Sequence, residues 1–302
     1  MEQNGISIIS PPGVTENSGK PKSIGITLRS SSLQSAKEKL KTPWLKKMEG
    51  DSTSLDKLLT VLAEVFGTAI LVFLGCTAGV GSLGETPPPT MQVALAFGIA
   101  VMIAIQCIGH ISGADINPAI TVATVILGRK SLLIAGLYII AQCLGSLIGY
   151  GLLKTITPQE LLHDGNITTI YSFCTTDINK NITVVHGLLV EALATGILVF
   201  FACGIWDSRN GKNTDSVPLR FGLAVSMLAF AFIPYTGCSM NPARTFGPAI
   251  WNNYWDNHWI FWLGPIGGSI IASLIYRCLF MPRTKSQEGA IHDVETLNGV
   301  ET

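Results

Sequence analysis

Apolar residues along this chain fall into six long runs, at about 58–80, 91–109, 132–153, 184–204, 219–236 and 259–281. Each is close to the roughly 20 residues a helix needs to cross the hydrocarbon of a bilayer. Two shorter apolar pieces, at about 117–127 and 241–251, cannot span. Each opens on Asn-Pro-Ala: Asn117, Pro118 and Ala119 in the first, Asn241, Pro242 and Ala243 in the second. Proline suits the first turn of a helix, where its missing N–H costs nothing. The two pieces therefore read as half-helices that enter the membrane and turn back. Such backbone is tolerated at that depth only where protein buries it or a wet cavity lines it.

The same markers recur around both motifs. Gly113 and Gly237 stand four residues before the two Asn, and Phe97-Gly98 and Phe221-Gly222 begin twenty before. Glu64 and Glu191 each open a run ending in Ile-Leu-Val-Phe. This is an internal repeat. Each half holds three spans and a half-helix, over about 57–153 and 184–281. Three being odd, the halves cross the membrane in opposite senses, and the half-helices meet near the midplane. The expected fold class is an all-α membrane protein with six transmembrane helices, two re-entrant half-helices and inverted repeat symmetry.

Composition agrees. Charged residues make up 13% of the chain against about 25% in soluble domains, and mean hydropathy is +0.42. A net charge of zero argues against nucleic acid as a partner. The seven cysteines show no metal spacing, and their odd number argues against a disulfide framework. No cofactor or metal is expected, and no catalytic arrangement emerges, so an enzyme is not expected.

Residues 1–56 lack apolar periodicity and read as a largely disordered tail. Within it, Leu40, Trp44, Leu45 and Met48 among lysines suit either an anionic leaflet surface or plain solvent. Arg29-Ser30 offers a basophilic phosphorylation match. Nine Lys or Arg precede Leu58, and most others fall in connections on the same side, so both termini are expected in the cytosol. The first span, starting so far from Met1, would act as an uncleaved anchor. The sequons at Asn166 and Asn181 lie in the loop this topology puts outside. Residues 282–302 form a second polar tail.

At the meeting point, each Asn would cap its own half-helix and keep amide donors for the lumen. Two helix N-termini carry roughly half a positive charge each, which repels protons and metal ions but not neutral solutes. Arg244, in the first turn of the second half-helix, is costly in an apolar setting and is functional by default. Glu64 and Glu191 suit support of the re-entrant loops better than proton coupling. Gly75/Gly79, Gly145/Gly149 and Gly264/Gly268 have helix-crossing spacing. His110 and His186 read as packed rather than catalytic.

The stretches His110-Ile-Ser-Gly-Ala-Asp-Ile-Asn117-Pro-Ala and Tyr235-Thr-Gly-Cys-Ser-Met-Asn241-Pro-Ala-Arg-Thr-Phe-Gly-Pro248 resemble those of the aquaporin (major intrinsic protein) family. The likeness covers about residues 57–281. It implies homotetramers, each subunit with its own narrow pore, and passive transport in the plasma membrane. It also implies a second constriction, mapping to Phe97, Ala229, Cys238 and Arg244. Water-selective members usually place His at the position of Ala229, so methyl here implies a wider filter, resembling the insect-type entomoglyceroporins. Thr245 and Phe261-Trp262, in contrast, resemble water channels. The expected permeants are water with glycerol and urea. A strictly water-selective pore and a junctional protein with little conduction remain alternatives. Mercurial attack on Cys238 is expected.

Overall fold

The structure, a computed structural model, describes residues 52–81, 83, 86, 88–163 and 172–282. Most of the N-terminal tail, the C-terminal tail beyond Pro282 and Asn166 lie outside the described residues.

The main helices among them are α1 (Ser52–Thr77), α2 (Thr90–Ser112), α3 (Pro118–Ile126), α4 (Leu132–Ile156), α5 (Val184–Trp206), α6 (Val217–Thr236), α7 (Pro242–Asn252) and α8 (Ile260–Ile275). A π-helical turn, Tyr276–Phe280, extends α8. Six are long and apolar enough to cross a membrane: Leu55–Val80, Thr90–Ser112, Leu132–Ile156, Val184–Trp206, Val217–Thr236 and Ile260–Phe280. α3 and α7, with 9 and 11 residues, are the half-helices. Each begins at the Pro of its motif, with the preceding Asn extended and capping it.

Helix ends follow local chemistry. α2 and α6 stop at Gly113 and Gly237, whose φ of 88° and 74° lie in the left-handed region that glycine enters without penalty. α4 starts behind Ser131, whose Oγ accepts from the Ile134 N–H. α5 starts in a capping box, in which Thr183 and His186 satisfy one another's backbone N–H groups. His186 is thus an exposed cap, and His110 is exposed at the end of α2 rather than packed.

Packing repeats with the sequence. α5 lies against α8 and α2 against α6, while α4 covers α7 and α8 touches α3. Close crossings need missing side chains. A Cβ on Gly149 would meet Ala69 Cα at 3.0 Å, tying α4 to α1. A Cβ on Gly264 would meet the Leu188 carbonyl at 3.1 Å, tying α8 to α5. Gly98 and Gly222, equivalent markers in the two halves, pack on each other: a Cβ on Gly222 would lie 3.0 Å from the Gly98 carbonyl. Gly75/Gly79 behave differently, since Gly75 makes room for the Phe97 ring and Gly79 for that of Phe173.

One expectation is corrected. Cys76, at the end of α1, is bonded to Cys174 in the α4–α5 connection, with Cα atoms 5.6 Å apart. An odd count excludes complete pairing but not a single bridge. A partner 98 residues away leaves no trace in cysteine spacing. Cys107, Cys143, Cys203, Cys238 and Cys278 are free.

Candidate functional site: the lumen and its two re-entrant loops

The segments before α3 and α7 are built alike. Ala114 and Ile116 in one, and Cys238 and Met240 in the other, hold φ between 45° and 51°. Left-handed backbone at non-glycine residues is unfavourable unless its surroundings enforce it. Two buried carboxylates do so. Glu64 accepts from Asp115 N (3.0 Å), Ile116 N (2.7 Å), Ser112 Oγ (2.6 Å) and Gln142 Nε2 (2.9 Å). Glu191 accepts from Ser239 N, Met240 N (both 2.9 Å) and Thr236 Oγ1 (2.6 Å). Every one of these partners is a donor, so each carboxylate is used as an acceptor throughout. Turning two consecutive N–H groups toward the carboxylate leaves the carbonyls of Ile116 and Met240 available on the other side.

Those carbonyls receive the motif asparagines crosswise. Asn117 Nδ2 donates to Met240 O at 2.8 Å, and Asn241 Nδ2 donates to Ile116 O at 2.9 Å. The Oδ1 atoms meanwhile cap the half-helices, taking Ala119 N (2.8 Å) on one side and Ala243 N (3.0 Å) with Arg244 N (3.2 Å) on the other. One N–H of each amide therefore locks the two halves together, and the second is left for the lumen. Sequence alone pointed to donors but not to this lock.

Behind these loops the halves differ. Around Asp115 the support is ionic: Lys130 Nζ lies 2.8 Å from Oδ1, and Thr121 Oγ1 donates to Oδ2 at 3.0 Å. Around the second loop it is hydroxylic, since Thr245 Oγ1 bridges Ser239 Oγ (2.6 Å) and Thr176 Oγ1 (2.9 Å). Asp115, Lys130, Gln142 and Thr176 escaped the sequence reading. Asp115 two residues before Asn117 was the one visible signal.

A partly open lumen runs past both asparagines. Phe97, Ala229, Cys238 and Arg244 line it together with Asn117 and Asn241, while Trp206, Val217 and Phe221 also contribute. Its walls are mainly aliphatic and aromatic, with Val101, Ile105, Ile120, Leu198 and Val225 among them. Arg244 is only 7% exposed. Its Nη1 donates to the Cys174 carbonyl at 2.7 Å, and its guanidinium carbon sits 4.6 Å from the Phe97 ring centroid. Facing polar donors and apolar walls give a neutral molecule hydrogen bonds without offering a cation any counter-charge at Arg244.

At the far end of α5, Asp207 accepts from Arg209 Nε (2.8 Å), Arg209 Nη2 (2.6 Å) and Tyr276 Oη (2.8 Å). The Arg209 hydrogen bonds hold its carboxyl well below the usual carboxylate range. Arg129 stacks on Trp206 at 5.4 Å beside it. Among the described residues, no group of three or more His, Cys, Asp or Glu is placed to hold a metal ion.

Six membrane-crossing helices, two half-helices meeting tip to tip and a lumen between them define a channel-type membrane protein. The major intrinsic protein family model matches residues 51–276, and the chain belongs to that family. It is 41% identical over 225 residues to aquaporin-4 of Mus musculus, covering 74% of this chain and 67% of that protein. It is 39% identical over 226 residues to aquaporin-2 of Rattus norvegicus, covering 75% of this chain and 80% of that one. The X-ray structure of the aquaglyceroporin from Plasmodium falciparum shares the fold, with a TM-score of 0.59 at 20% identity, over 74% of this chain and 96% of that one. Family membership makes this a multi-pass, non-enzymatic channel for water or small solutes.

Proposed function

We propose that the pore conducts water together with small uncharged solutes, glycerol and urea, and that Phe97, Ala229, Cys238 and Arg244 form the filter that admits them. The observation that carries this reading is Ala229. It is buried on the lumen wall, in the same cavity as Arg244. A methyl there occupies far less space than an imidazole and offers no hydrogen bond. The wall is then apolar opposite fixed donors, which suits a polyol with hydroxyls on one side and CH groups on the other. In this reading the amides of Asn117 and Asn241, backed by two helix N-termini, orient the permeant and repel protons. Glu64 and Glu191 hold the loops and take no part in moving protons across the membrane.

A strictly water-selective pore is the second reading, and Thr245 favours it. Thr245 resembles water channels, and its hydroxyl bridges Ser239 and Thr176, bracing the loop beside Arg244. Pore width at Ala229 acts directly on the permeant, and bracing acts only through the loop, so the wider range is preferred.

We further infer a homotetramer in the plasma membrane with both termini in the cytosol. The Cys76–Cys174 bridge supports this orientation, because disulfides persist on the oxidising side of a membrane. Asn181 is exposed on that same connection, open to glycosylation, and Asn166 is its companion sequon. The channel core then corresponds to about 57–281, flanked by tails at 1–56 and 282–302.

Purified protein in liposomes tests the reading. Water efflux is followed under a sucrose gradient, and glycerol and urea entry under solute gradients, with and without an imposed pH difference. All three fluxes are expected to follow their own gradients and to ignore pH. Water flux without glycerol or urea flux overturns the wider filter, and flux driven by the pH difference overturns passive transport.

A further inference from the structure

The chain beside Arg244 is fastened residue by residue. The Phe173 carbonyl accepts from Tyr150 Oη and Asn252 Nδ2, both at 2.9 Å. Thr176 meets Thr245, and Asn179 N donates to the Tyr235 carbonyl at 2.8 Å. Between these points stands Cys174, with φ of 58°, a left-handed conformation that a non-glycine side chain keeps only under restraint. Its carbonyl is the acceptor for Arg244 Nη1. Its sulfur is bonded to Cys76, which is buried.

The other end of the bridge is equally placed. Cys76 follows Gly75, and the Phe97 ring fills the space where a Gly75 side chain would stand, with Phe97 Cζ only 2.8 Å from an added Cβ. One covalent link therefore joins the seat of Phe97 to the seat of Arg244. These are the two side chains stacked across the lumen wall at 4.6 Å.

We propose that the Cys76–Cys174 disulfide is a positioning element of the filter, fixing the Phe97–Arg244 spacing so that larger solutes are held back. The proposal rests on reading Phe97 and Arg244 as filter residues. Without the bridge, the Cys174 carbonyl loses its covalent restraint and the guanidinium its fixed acceptor. The constriction then widens, and glycerol and urea pass more readily relative to water.

The test compares wild type, Cys76→Ser/Cys174→Ser, Arg244→Val and the triple variant in oocytes, with flux normalised to surface protein. As a route that does not depend on folding without the bridge, wild type at the cell surface is treated with dithiothreitol. The S–S bond becomes two cysteine thiols while the reagent's two thiols close to its cyclic disulfide, and peptide masses verify the change. Removing the bridge by either route is expected to raise the urea-to-water and glycerol-to-water ratios about threefold, and to do nothing further once Arg244 is Val. A bridge needed only for stability would lower surface protein and leave the ratios alone. The proposal is overturned by ratios that stay or fall, by an equal rise in the Arg244→Val background, or by free thiols at both positions in surface protein. If Arg244→Val itself leaves the ratios unchanged, the filter reading falls and takes the proposal with it. If Arg244→Val moves them and the bridge does not, only the proposal falls.

Discussion

Replacing Glu191 by Gln exposes how the second re-entrant loop is held. Oε1 accepts from Thr236 Oγ1 and Ser239 N, and Oε2 accepts from Met240 N. A glutamine oxygen can take over the first pair. Its NH₂ then faces the Met240 N–H, leaving one buried backbone donor and one side-chain donor without acceptors. Each orphan costs about 1–3 kcal/mol, and the surviving bonds lose their charge-assisted strength. Two orphans make a loss of roughly 2–6 kcal/mol, or about 4–24 °C in the unfolding midpoint at the ~2–4 °C per kcal/mol of a large domain. Glu64→Gln is expected to cost less. Its NH₂ in place of Oε2 would orphan the Ile116 N–H but would itself be satisfied by Gln142, whose Oε1 is buried without a partner and can turn to accept from it. The assay is thermal unfolding of the solubilised channel for both variants beside wild type, with water flux per surface channel as a second readout. A Glu191→Gln midpoint within about 2 °C of wild type, or a larger loss for Glu64→Gln, would refute the loop-support reasoning.

Other expectations come from single contacts. Gly75→Ala places a methyl where the Phe97 ring now sits, so the ring moves toward Arg244; glycerol flux is expected to fall more than water flux, and equal falls would contradict it. Mercurials are expected to block wild type through Cys238, a free thiol on the lumen wall, and a Cys238→Ser channel that stays equally sensitive would contradict that. Asp207 has its carboxyl held low by Arg209, so its contribution to stability is complete above the unfolded-chain value of about 3.9 and is lost only as pH falls through the lower folded value. Asp207→Asn should therefore show a constant deficit from pH 8 to 5 that closes in stronger acid, followed by thermal unfolding across pH.

Much of this architecture is written in local pattern. Apolar run length marks the spans to within a few residues, because a bilayer imposes its thickness on every one of them. Asn before Pro marks the half-helix starts, because capping and proline preference are one-turn effects. Duplication of the motif carries the inverted symmetry. What the chain conceals depends on segments distant in sequence meeting in space. The donation of each Asn amide to the opposite loop needs the left-handed backbone at Ile116 and Met240. The pairing of Asp115 with Lys130 spans a half-helix. Gln142 reaches Glu64 from another span. The Cys76–Cys174 bridge joins α1 to a connection between later helices, and no spacing rule links them. His110, expected to be packed, instead stands exposed in the last turn of its helix.

The claim that most needs testing is that Ala229 sets the solute range. Water, glycerol and urea permeabilities of wild type and Ala229→His, measured side by side at equal surface density, address it directly. Wild type is expected to pass all three, and the histidine variant to keep most of its water flux while glycerol and urea flux collapse. Solute flux that histidine leaves untouched, or a wild type that passes water alone, would contradict it.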